Sequence, residues 1–230
     1  MCYAASLAVN DGYDLYFLTF TYGQRAEREI ERSRYFAKVL NAKDLKVADM
    51  GFMKSLYNKS NALTDGRQEI SQEFSPSLIV PIRNAVFLTI ATAWAMSIDA
   101  KVVAYGAHTG DTLHYPDCRP SFVSAMSEAL NTAESDSILS GLRQQVTILS
   151  PAVMGLDKSA LARTGYKILG DKIFHTWSCY SDGIKVDSDY LHCGWCESCI
   201  NRKSAFTTAQ IEDKTQYATE NYLRHNNEAK

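Results

Sequence analysis

Four apolar segments with the character of buried β-strands alternate with helical patterns along this chain, and this alternation limits the possible folds most strongly. The segments lie at residues 14–20, 44–49, 101–106 and 146–149. Strands that alternate with helices in this way form parallel sheets, because each helix carries the chain back across one face of the sheet. The sequence therefore predicts an α/β fold, a parallel sheet with helices on both faces.

The helix between the second and third strands is the most apolar of the set. Asn84 is a suitable N-cap, and the residues after it are apolar on nearly every side through Ile98. We expect this helix to be sandwiched in the core. The polar stretch at 51–77 is predicted to be a long surface excursion of the kind that forms lids or binding loops. Further helices are predicted at 25–40, Phe122–Ala133 and Lys158–Leu169.

Composition and charge exclude several classes of protein. The 46% hydrophobic and 22% charged residues are typical of a globular domain and not of disordered, collagen-like or coiled-coil chains. The longest charge-free stretch has 15 residues, too few to span a bilayer, and no signal-peptide pattern follows Met1. The net charge of −2 favours a small-molecule substrate over nucleic acid. We therefore expect a cytoplasmic protein with no membrane contact and no direct nucleic-acid partner.

Four of the six cysteines are concentrated near the end of the chain, with the spacing Cys-x13-Cys-x2-Cys-x2-Cys. The two-residue spacings let thiolates converge on one ion, and the distant first cysteine can complete a tetrahedron. This spacing predicts a structural zinc site that folds a polar segment and holds Arg202 in place. An iron–sulfur cluster and inert reduced thiols are the alternatives. The predicted ligands are Cys179, Cys193, Cys196 and Cys199.

Polar clusters follow three of the predicted strands. Tyr22-Gly-Gln-Arg25 follows the first strand, Gly106–Asp111 the third, and Ser150-Pro151 the fourth. Ligands of open parallel sheets bind at the carboxyl ends of the strands. These clusters are therefore the candidate ligand-binding positions.

Several of these stretches together resemble the 7-cyano-7-deazaguanine synthase family, enzymes of queuosine and archaeosine precursor synthesis with an adenine-nucleotide α-hydrolase-like fold. The resemblance runs from about residue 12 to residue 206 in family order, and the Tyr-Pro-Asp-Cys-Arg and cysteine motifs are its most specific parts. The matching stretches are Leu18-Thr-Phe-Thr-Tyr-Gly-Gln-Arg25, Ala62-Leu-Thr-Asp65, Val80-Pro-Ile-Arg-Asn-Ala-Val-Phe-Leu88, Tyr115-Pro-Asp-Cys-Arg-Pro120, Thr176-Trp-Ser-Cys-Tyr180 and Cys193-Gly-Trp-Cys-Glu-Ser-Cys199.

The sequence differs from the family pattern at two places. Ile82 stands where the family usually has glycine in its Val-Pro-Gly-Arg-Asn motif. Family members also open with a strand and a Ser-Gly-Gly-x-Asp-Ser loop that binds phosphates, and this sequence begins just after that loop. The first strand and phosphate loop are thus expected to be missing here. Either translation starts upstream of Met1, or the chain is a natural truncation of doubtful activity.

The resemblance implies an ATP-dependent carbon–nitrogen ligase. Its substrates would be 7-carboxy-7-deazaguanine, ammonia and ATP with Mg²⁺. The product would be 7-cyano-7-deazaguanine, formed through adenylated intermediates with release of AMP and pyrophosphate. The runner-up functions are a tRNA-thiolating ATP pyrophosphatase and a catalytically inactive truncated homologue. The oligomeric state stays open between a monomer and a homodimer.

The resemblance also assigns candidate roles to residues at the matched positions. Three of the substrate-binding candidates have alternative roles: Asp111 could cap a turn, Asp117 could cap the following helix, and Cys118 could be a nucleophile. His108 and His114 stand close to this loop. The catalytic candidates are Lys158, Arg202 and Arg119; the nucleotide-binding candidates are Tyr22, Gly23, Gln24, Arg25, Arg83 and Asn84; and the substrate-binding candidates are Asp111, Asp117 and Cys118.

Three regions are expected along the chain. Residues 1–174 should form the nucleotide-binding α/β domain, incomplete at its N-terminus. Residues 175–211 should form a zinc-binding segment packed on it, and residues 212–230 a polar, loosely docked tail.

Overall fold

The computed structural model describes residues 1–57, 61–187 and 189–218. The strands in these ranges are β1 (Tyr16–Thr21), β2 (Asp44–Asp49), β3 (Val102–Ala104), β4 (Thr147–Leu149), β5 (Ile184–Val186) and β6 (Asp189–Leu191). The helices are α1 (Cys2–Val9), α2 (Arg28–Val39), α3 (Met53–Tyr57), α4 (Arg83–Ser97), α5 (Pro120–Ala133), α6 (Ser135–Leu139), α7 (Lys158–Leu169) and α8 (Glu197–Ala209). Short 3-10 helices lie at Pro76–Leu78, Asp111–Leu113, Pro116–Cys118 and Gly170–His175.

The chain divides into two compact units, each with its own hydrophobic core. The first unit contains Met1–Val80 and Ala162–Lys230, and the second contains Pro81–Leu161. The sequence predicted boundaries at residues 174 and 211 instead, and those boundaries stay a prediction. The two units are described one after the other.

The first unit is built around the parallel pair β1 and β2, in which Tyr16 lies opposite Asp44 and Thr21 opposite Asp49. Helix α2 joins the two strands and turns Phe36 and Ala37 towards the core, while Glu29, Glu31, Arg34 and Lys38 are exposed. Burying an aromatic side chain such as Phe36 contributes about 1.5–3 kcal/mol. The core residues of this unit are Ala5, Phe17, Phe36, Ala37, Ala162, Leu169, Ile173, Phe206 and Ala209.

The second unit contains the parallel pair β3 and β4, with Val103 opposite Ile148. Pro120 is the first residue of α5, where its missing N–H costs no hydrogen bond. The Asn131 side chain ties α5 to the start of β4, because its amide accepts from the Val146 N–H at 2.9 Å and donates to the Val146 carbonyl at 2.8 Å. The core residues here are Leu88, Ala95, Met96, Val103, Val123, Val146 and Ile148.

The predicted alternation of strands and helices is confirmed, but a single continuous parallel sheet is not formed by the described strands. β1–β2 and β3–β4 are separate two-stranded parallel sheets, and β5–β6 is an antiparallel hairpin. Apolar periodicity identifies which segments become strands. It carries no information on which strands become neighbours, and this explains the difference.

Helix α4 differs from its prediction in two respects. The residue before the helix is Ile82, in the left-handed conformation at φ 56°, and Asn84 lies inside the first turn, so Asn84 is not the N-cap. The helix also buries one face only, through Leu88, Thr92, Ala95 and Met96. The other apolar residues of α4 are half-buried or exposed, so the helix is not sandwiched on all sides.

One described segment, Pro76–Ser97, is long and apolar enough to pass a test for membrane spans based on length and composition. It is not one continuous α-helix, because Pro76–Leu78 is a 3-10 turn and Ile82 is left-handed. Helix α4 itself has 15 residues, fewer than the roughly 20 that cross a bilayer. Core helices pass the same test, and α4 contributes to the core of the second unit.

The start of the predicted polar tail is firmly docked. The Ala218 N–H donates to the His192 carbonyl at 2.8 Å, and the His192 N–H donates to the Gln216 carbonyl at 3.0 Å. Thr215 is buried in the first unit. Residues 212–218 are therefore an integral strap, in contrast to the predicted loose docking, and residues 219–230 lie outside the described ranges.

Candidate functional site

The four predicted metal ligands converge in the first unit. Their Sγ atoms all lie within 4.8 Å of one another, and all four side chains are buried. The β5–β6 hairpin separates Cys179 from the other three ligands in the chain, and Cys196 and Cys199 stand at the start of α8. Zinc–sulfur bonds of about 2.3 Å in a tetrahedron place sulfurs about 3.8 Å apart. The Cys193 and Cys199 sulfurs are 3.8 Å apart, so the cluster fits a metal ion such as zinc.

The four thiols of the cluster share negative charge unevenly. The Cys196 backbone N–H donates to Cys193 Sγ at 3.3 Å. Cys199 lies in the first turn of α8, where the helix dipole stabilises negative charge. Hydrogen bonds from the neighbouring thiols, led by Cys193, lower the pKa of Cys179 below its ordinary value. Hydrogen bonding to Cys179 raises the pKa of Cys196 and of Cys199 in turn, so the negative charge is concentrated on Cys179. Thiolate is the form that binds metal.

An aromatic shell surrounds the cysteines. It contains Trp177, Tyr180, Trp195 and Tyr217. The buried His192 ring stacks on Trp177 at 4.2 Å between centroids, and burial lowers the pKa of His192 to about 4. Neither His192 nor His175 joins the group of converging ligand atoms among the described residues, so four sulfurs form the cluster without them.

The metal-binding segment is anchored to α2 of the same unit. The Arg28 backbone N–H donates to Asp182 Oδ1 at 2.9 Å, which caps one of the free amides at the helix start. The Arg28 guanidinium lies 3.5 Å from the centroid of the Tyr190 ring. This cation–π contact and the cap fix the β5–β6 hairpin against the helix.

The loop after β1 contains four of the nucleotide-binding candidates. The buried Gln24 side chain folds this loop, because it accepts from the Tyr22 N–H at 2.8 Å and donates to the Phe20 carbonyl at 3.0 Å. Gly23 has φ +81°, and a Cβ there would lie 2.7 Å from the Lys54 side chain. The loop therefore needs glycine for its backbone conformation and for the close approach of Lys54.

Arg25, the last residue of this loop, connects it to the excursion after α3. Its Nη1 donates to the Ala62 carbonyl at 3.2 Å and to the Gln68 carbonyl at 2.7 Å, while its backbone N–H donates to the Leu63 carbonyl. Asn61 organises the same excursion through bonds to Leu63 and Ile79. The guanidinium thus holds the loop in shape in addition to any contact with phosphate.

In the second unit, the substrate-binding candidates come together with the start of α4. The Asn84 amide donates to Cys118 Sγ at 3.6 Å, and the Cys118 thiol lies 3.8 Å from Asp117 Oδ1. Burial, then the negative charges of Asp111 and Asp117, raise the pKa of Cys118 to about 12, with Arg83 acting in the opposite direction. The thiol is therefore protonated at neutral pH, which disfavours a role as nucleophile.

The remaining candidates of this unit shape its loops. Asp111 caps a turn, because its Oδ2 accepts from the His108 N–H at 2.9 Å. Arg119 is exposed and its Nε donates to the Thr112 carbonyl at 3.0 Å. Lys158 is the half-buried first residue of α7, next to Asp157, whose carboxylate accepts from the Ala160 N–H. His114 is exposed on the same stretch.

Arg202 differs from the other catalytic candidates in its burial. It is 4% exposed and lies in the first unit, one turn beyond Cys199 on α8. Its donors bond to three hydroxyls and one backbone carbonyl. In this conformation the side chain is enclosed by its own unit.

Sequence reasoning missed Tyr105. Its hydroxyl donates to the Asp117 carbonyl at 3.1 Å, and burial raises its pKa above the ordinary value. The missed signal is its position directly after β3, at the carboxyl end where ligands bind. Sequence reasoning also missed the three hydroxyl groups that bind Arg202, which belong to Thr176, Ser178 and Thr215. Serine and threonine are common in loops, so their presence in the sequence carries no signal.

Comparison with known proteins agrees with these motifs. The family model described as queuosine biosynthesis protein QueC matches residues 2–210. The 7-cyano-7-deazaguanine synthase 2 of Colwellia psychrerythraea is 32% identical over 221 residues, which cover 94% of this chain and 92% of that protein. The 7-cyano-7-deazaguanine synthase 1 of the same organism is 36% identical over 215 residues, with coverages of 91% and 90%.

A third relative, from a different organism, gives the same result. The 7-cyano-7-deazaguanine synthase of Caldicellulosiruptor saccharolyticus is 33% identical over 216 residues, which cover 92% of this chain and 88% of that protein. The family resemblance seen in the motifs is therefore confirmed over nearly the whole chain. This chain belongs to the family of queuosine biosynthesis protein QueC.

Proposed function

We propose that this chain is an ATP-dependent carbon–nitrogen ligase that converts 7-carboxy-7-deazaguanine and ammonia to 7-cyano-7-deazaguanine. The observation that carries the proposal is the similarity, at 32–36% identity and about nine-tenths coverage of both chains, to proteins named for this synthase activity. The substrate is a small molecule, in keeping with the net charge of −2.

The proposed reaction uses ATP twice. The substrate carboxylate attacks the α-phosphorus of ATP and expels pyrophosphate, which leaves an acyl-adenylate. Ammonia then displaces AMP and loses a proton to give the amide. A second ATP adenylates the amide oxygen, again with loss of pyrophosphate. Loss of AMP and a proton from that intermediate leaves the nitrile.

The residues that would serve this chemistry are proposed from the matched motifs. An adenine-nucleotide α-hydrolase-like fold is supported by the parallel strand pairs and by the Tyr22–Arg25 loop at the end of β1. In that fold Tyr22, Gly23, Gln24 and Arg25 would contact the nucleotide. Arg83 and Asn84 at the start of α4 are proposed as further nucleotide-binding residues.

The substrate would be recognised by polar groups near the end of β3. Asp117 is suited to the donor edge of an aminopyrimidinone ring, because a carboxylate only accepts hydrogen bonds when ionised. Asp111 and the protonated Cys118 would line the same site, and the 3.8 Å distance between the Cys118 thiol and Asp117 Oδ1 supports the grouping of Cys118 with Asp117. Lys158 and Arg119 would stabilise negative charge that develops on the phosphates.

Mg²⁺ and zinc have different proposed tasks. Mg²⁺ would bind with ATP and neutralise the pyrophosphate leaving group. Zinc would be held by Cys179, Cys193, Cys196 and Cys199 and would have a structural role, since four sulfur ligands leave no open position. The 3.8 Å spacing of the Cys193 and Cys199 sulfurs supports this assignment.

The direct test is to incubate the purified chain with ATP, Mg²⁺, ammonium and the carboxylated deazaguanine. Chromatography with mass spectrometry would follow AMP and the nitrile. We expect both products, and no AMP above background when the deazaguanine acid is omitted. Absence of both products in the complete mixture would contradict the proposed reaction and would favour an inactive homologue.

A further inference from the structure

The buried Arg202 follows the predicted ligand Cys199 by one turn of α8. Arg202 and Cys199 are three residues apart on α8, so they share one face of the helix, and both side chains are buried. An arginine stays protonated at every accessible pH. A full positive charge is therefore enclosed within the first unit, beside the cysteine ligands.

The hydrogen-bond partners of this guanidinium are all neutral. Nε donates to Thr215 Oγ1 at 3.0 Å, Nη1 donates to Thr176 Oγ1 at 2.7 Å and Ser178 Oγ at 3.2 Å, and Nη2 reaches the Ile173 carbonyl at 3.5 Å. No carboxylate among the described residues forms an ion pair with Arg202. A buried charge without an ionic partner is strongly unfavourable.

One carboxylate, Asp213, interacts electrostatically with Arg202, but its hydrogen bonds go to other groups. Its Oδ1 accepts from the Thr215 N–H at 3.0 Å, and its Oδ2 accepts from the Tyr217 hydroxyl at 2.6 Å. A dication bound by four thiolates, in contrast, carries two net negative charges. Such a site would add a larger negative charge to that of Asp213 in the surroundings of Arg202.

The bonds of Arg202 also join the segments that build the cluster. Thr176 and Ser178 lie three residues and one residue before Cys179, the ligand that is most distant in sequence from the others. Thr215 belongs to the strap whose Tyr217 ring packs on the cysteines. Arg202 itself is on the helix that carries Cys196 and Cys199.

We propose that Arg202 is a positioning residue of the metal site, whose charge offsets the tetrathiolate and whose hydrogen bonds hold the Cys179 segment against α8. This role rests on the proposed metal site. It differs from the catalytic role expected from the sequence, which requires contact with substrate. The distinguishing property is metal affinity, which a purely catalytic arginine would not alter.

Competition with a chromophoric chelator measures that affinity in the zinc-loaded full chain. Arg202→Met should lower zinc affinity by at least about tenfold, the usual cost of removing a group that supports metal ligands. Arg163→Met is the matched control, because Arg163 is exposed and its Nη1 lies 3.4 Å from the Thr208 carbonyl oxygen, a weak contact. The control should bind zinc as the wild type does.

Two further variants keep the test decisive if Arg202→Met does not fold. Arg202→Lys keeps the charge and should lose less affinity than Arg202→Met. Ser178→Ala combined with Thr215→Val keeps the arginine and removes two of its acceptors, so zinc should dissociate several-fold faster. In the Co²⁺-loaded protein, the same double variant should alter the visible absorption of the tetrahedral site.

The outcomes separate this inference from the proposed function. A wild-type chain that binds no zinc would overturn the metal site and this role together. Wild-type zinc binding with unchanged affinity in folded Arg202→Met, or unchanged dissociation in the double variant, would overturn the role of Arg202 alone.

Discussion

The side-chain amide of Asn84 donates to Cys118 Sγ at 3.6 Å, which connects the start of α4 to the turn at Pro116–Cys118. This contact brings two separate family motifs together in one unit. It also leaves the thiol buried beside the Asp117 carboxylate. The chemistry expected of Cys118 is therefore that of a protonated polar group.

The raised pKa of Cys118 predicts a pH dependence of stability. Its pKa is about 12 in the folded chain and 9.0 ordinarily, so the folded state binds this proton more tightly than the unfolded state. The resulting stabilisation is fully present below pH 9 and is lost as the pH rises towards 12. Urea unfolding should show the stability difference between wild type and Cys118→Ala shrinking over that range. Parallel stability curves for the two proteins would contradict this assignment.

Ile82 has a backbone conformation that glycine adopts more easily. Its φ of 56° is left-handed, and its side chain is 70% exposed, so little packing is lost on truncation. We expect Ile82→Gly to be more stable than Ile82→Ala by about 1 kcal/mol, because only alanine keeps the Cβ clash. Thermal or urea unfolding measures the difference. Equal stabilities would show that the left-handed conformation is not retained in solution.

The cysteine cluster predicts metal-dependent stability. Cys196→Ser should lose most of the bound zinc and unfold at lower temperature, since metal binding is coupled to folding of such segments. Cys2→Ser is the control, because Cys2 is outside the cluster. Elemental analysis and calorimetry check both. Retention of zinc with unchanged melting in Cys196→Ser would refute the ligand set, and a brown chromophore in the wild type would indicate iron–sulfur instead.

Lys158 is the strongest remaining candidate for stabilising phosphate charge. Lys158→Met should lower kcat by about 10²-fold, the usual effect of removing one such group, while the melting temperature stays close to the wild-type value. Lys167→Met serves as the comparison, since Lys167 is an exposed cation on the same helix. Nucleotide turnover measured by AMP release decides the matter. A kcat within a few-fold of the wild type would remove Lys158 from the proposed mechanism.

The parts of the fold that depend on local pattern were predictable. β2 at Asp44–Asp49 and α7 at Lys158–Leu169 have the predicted bounds, because hydrophobic periodicity and helix signals are properties of neighbouring residues. The predicted start of α4, with Asn84 as its N-cap, was wrong, because Ile82 takes a left-handed conformation that isoleucine rarely adopts. The docking of 212–218 was also missed, because its bonds to His192 depend on a residue distant in sequence.

In the candidate site, too, features that depend on local spacing were predictable and features that depend on distant residues were not. The convergence of the four cysteines followed from their spacing, which is a local property of the metal motif. The burial of Arg202 among Thr176, Ser178 and Thr215 could not be predicted, since these partners lie in two segments that are distant from Arg202 in sequence. Sequence identified the reactive residue types, and tertiary structure determined their surroundings.

The central claim, that this chain makes a nitrile from an acid and ammonia, is tested most directly with nitrogen-15 ammonium. The purified chain, ATP, Mg²⁺ and 7-carboxy-7-deazaguanine should yield 7-cyano-7-deazaguanine that is heavier by one mass unit. Two molecules of AMP should be released for each nitrile. An unlabelled or absent nitrile, with the acid recovered intact and no AMP formed, would contradict the account.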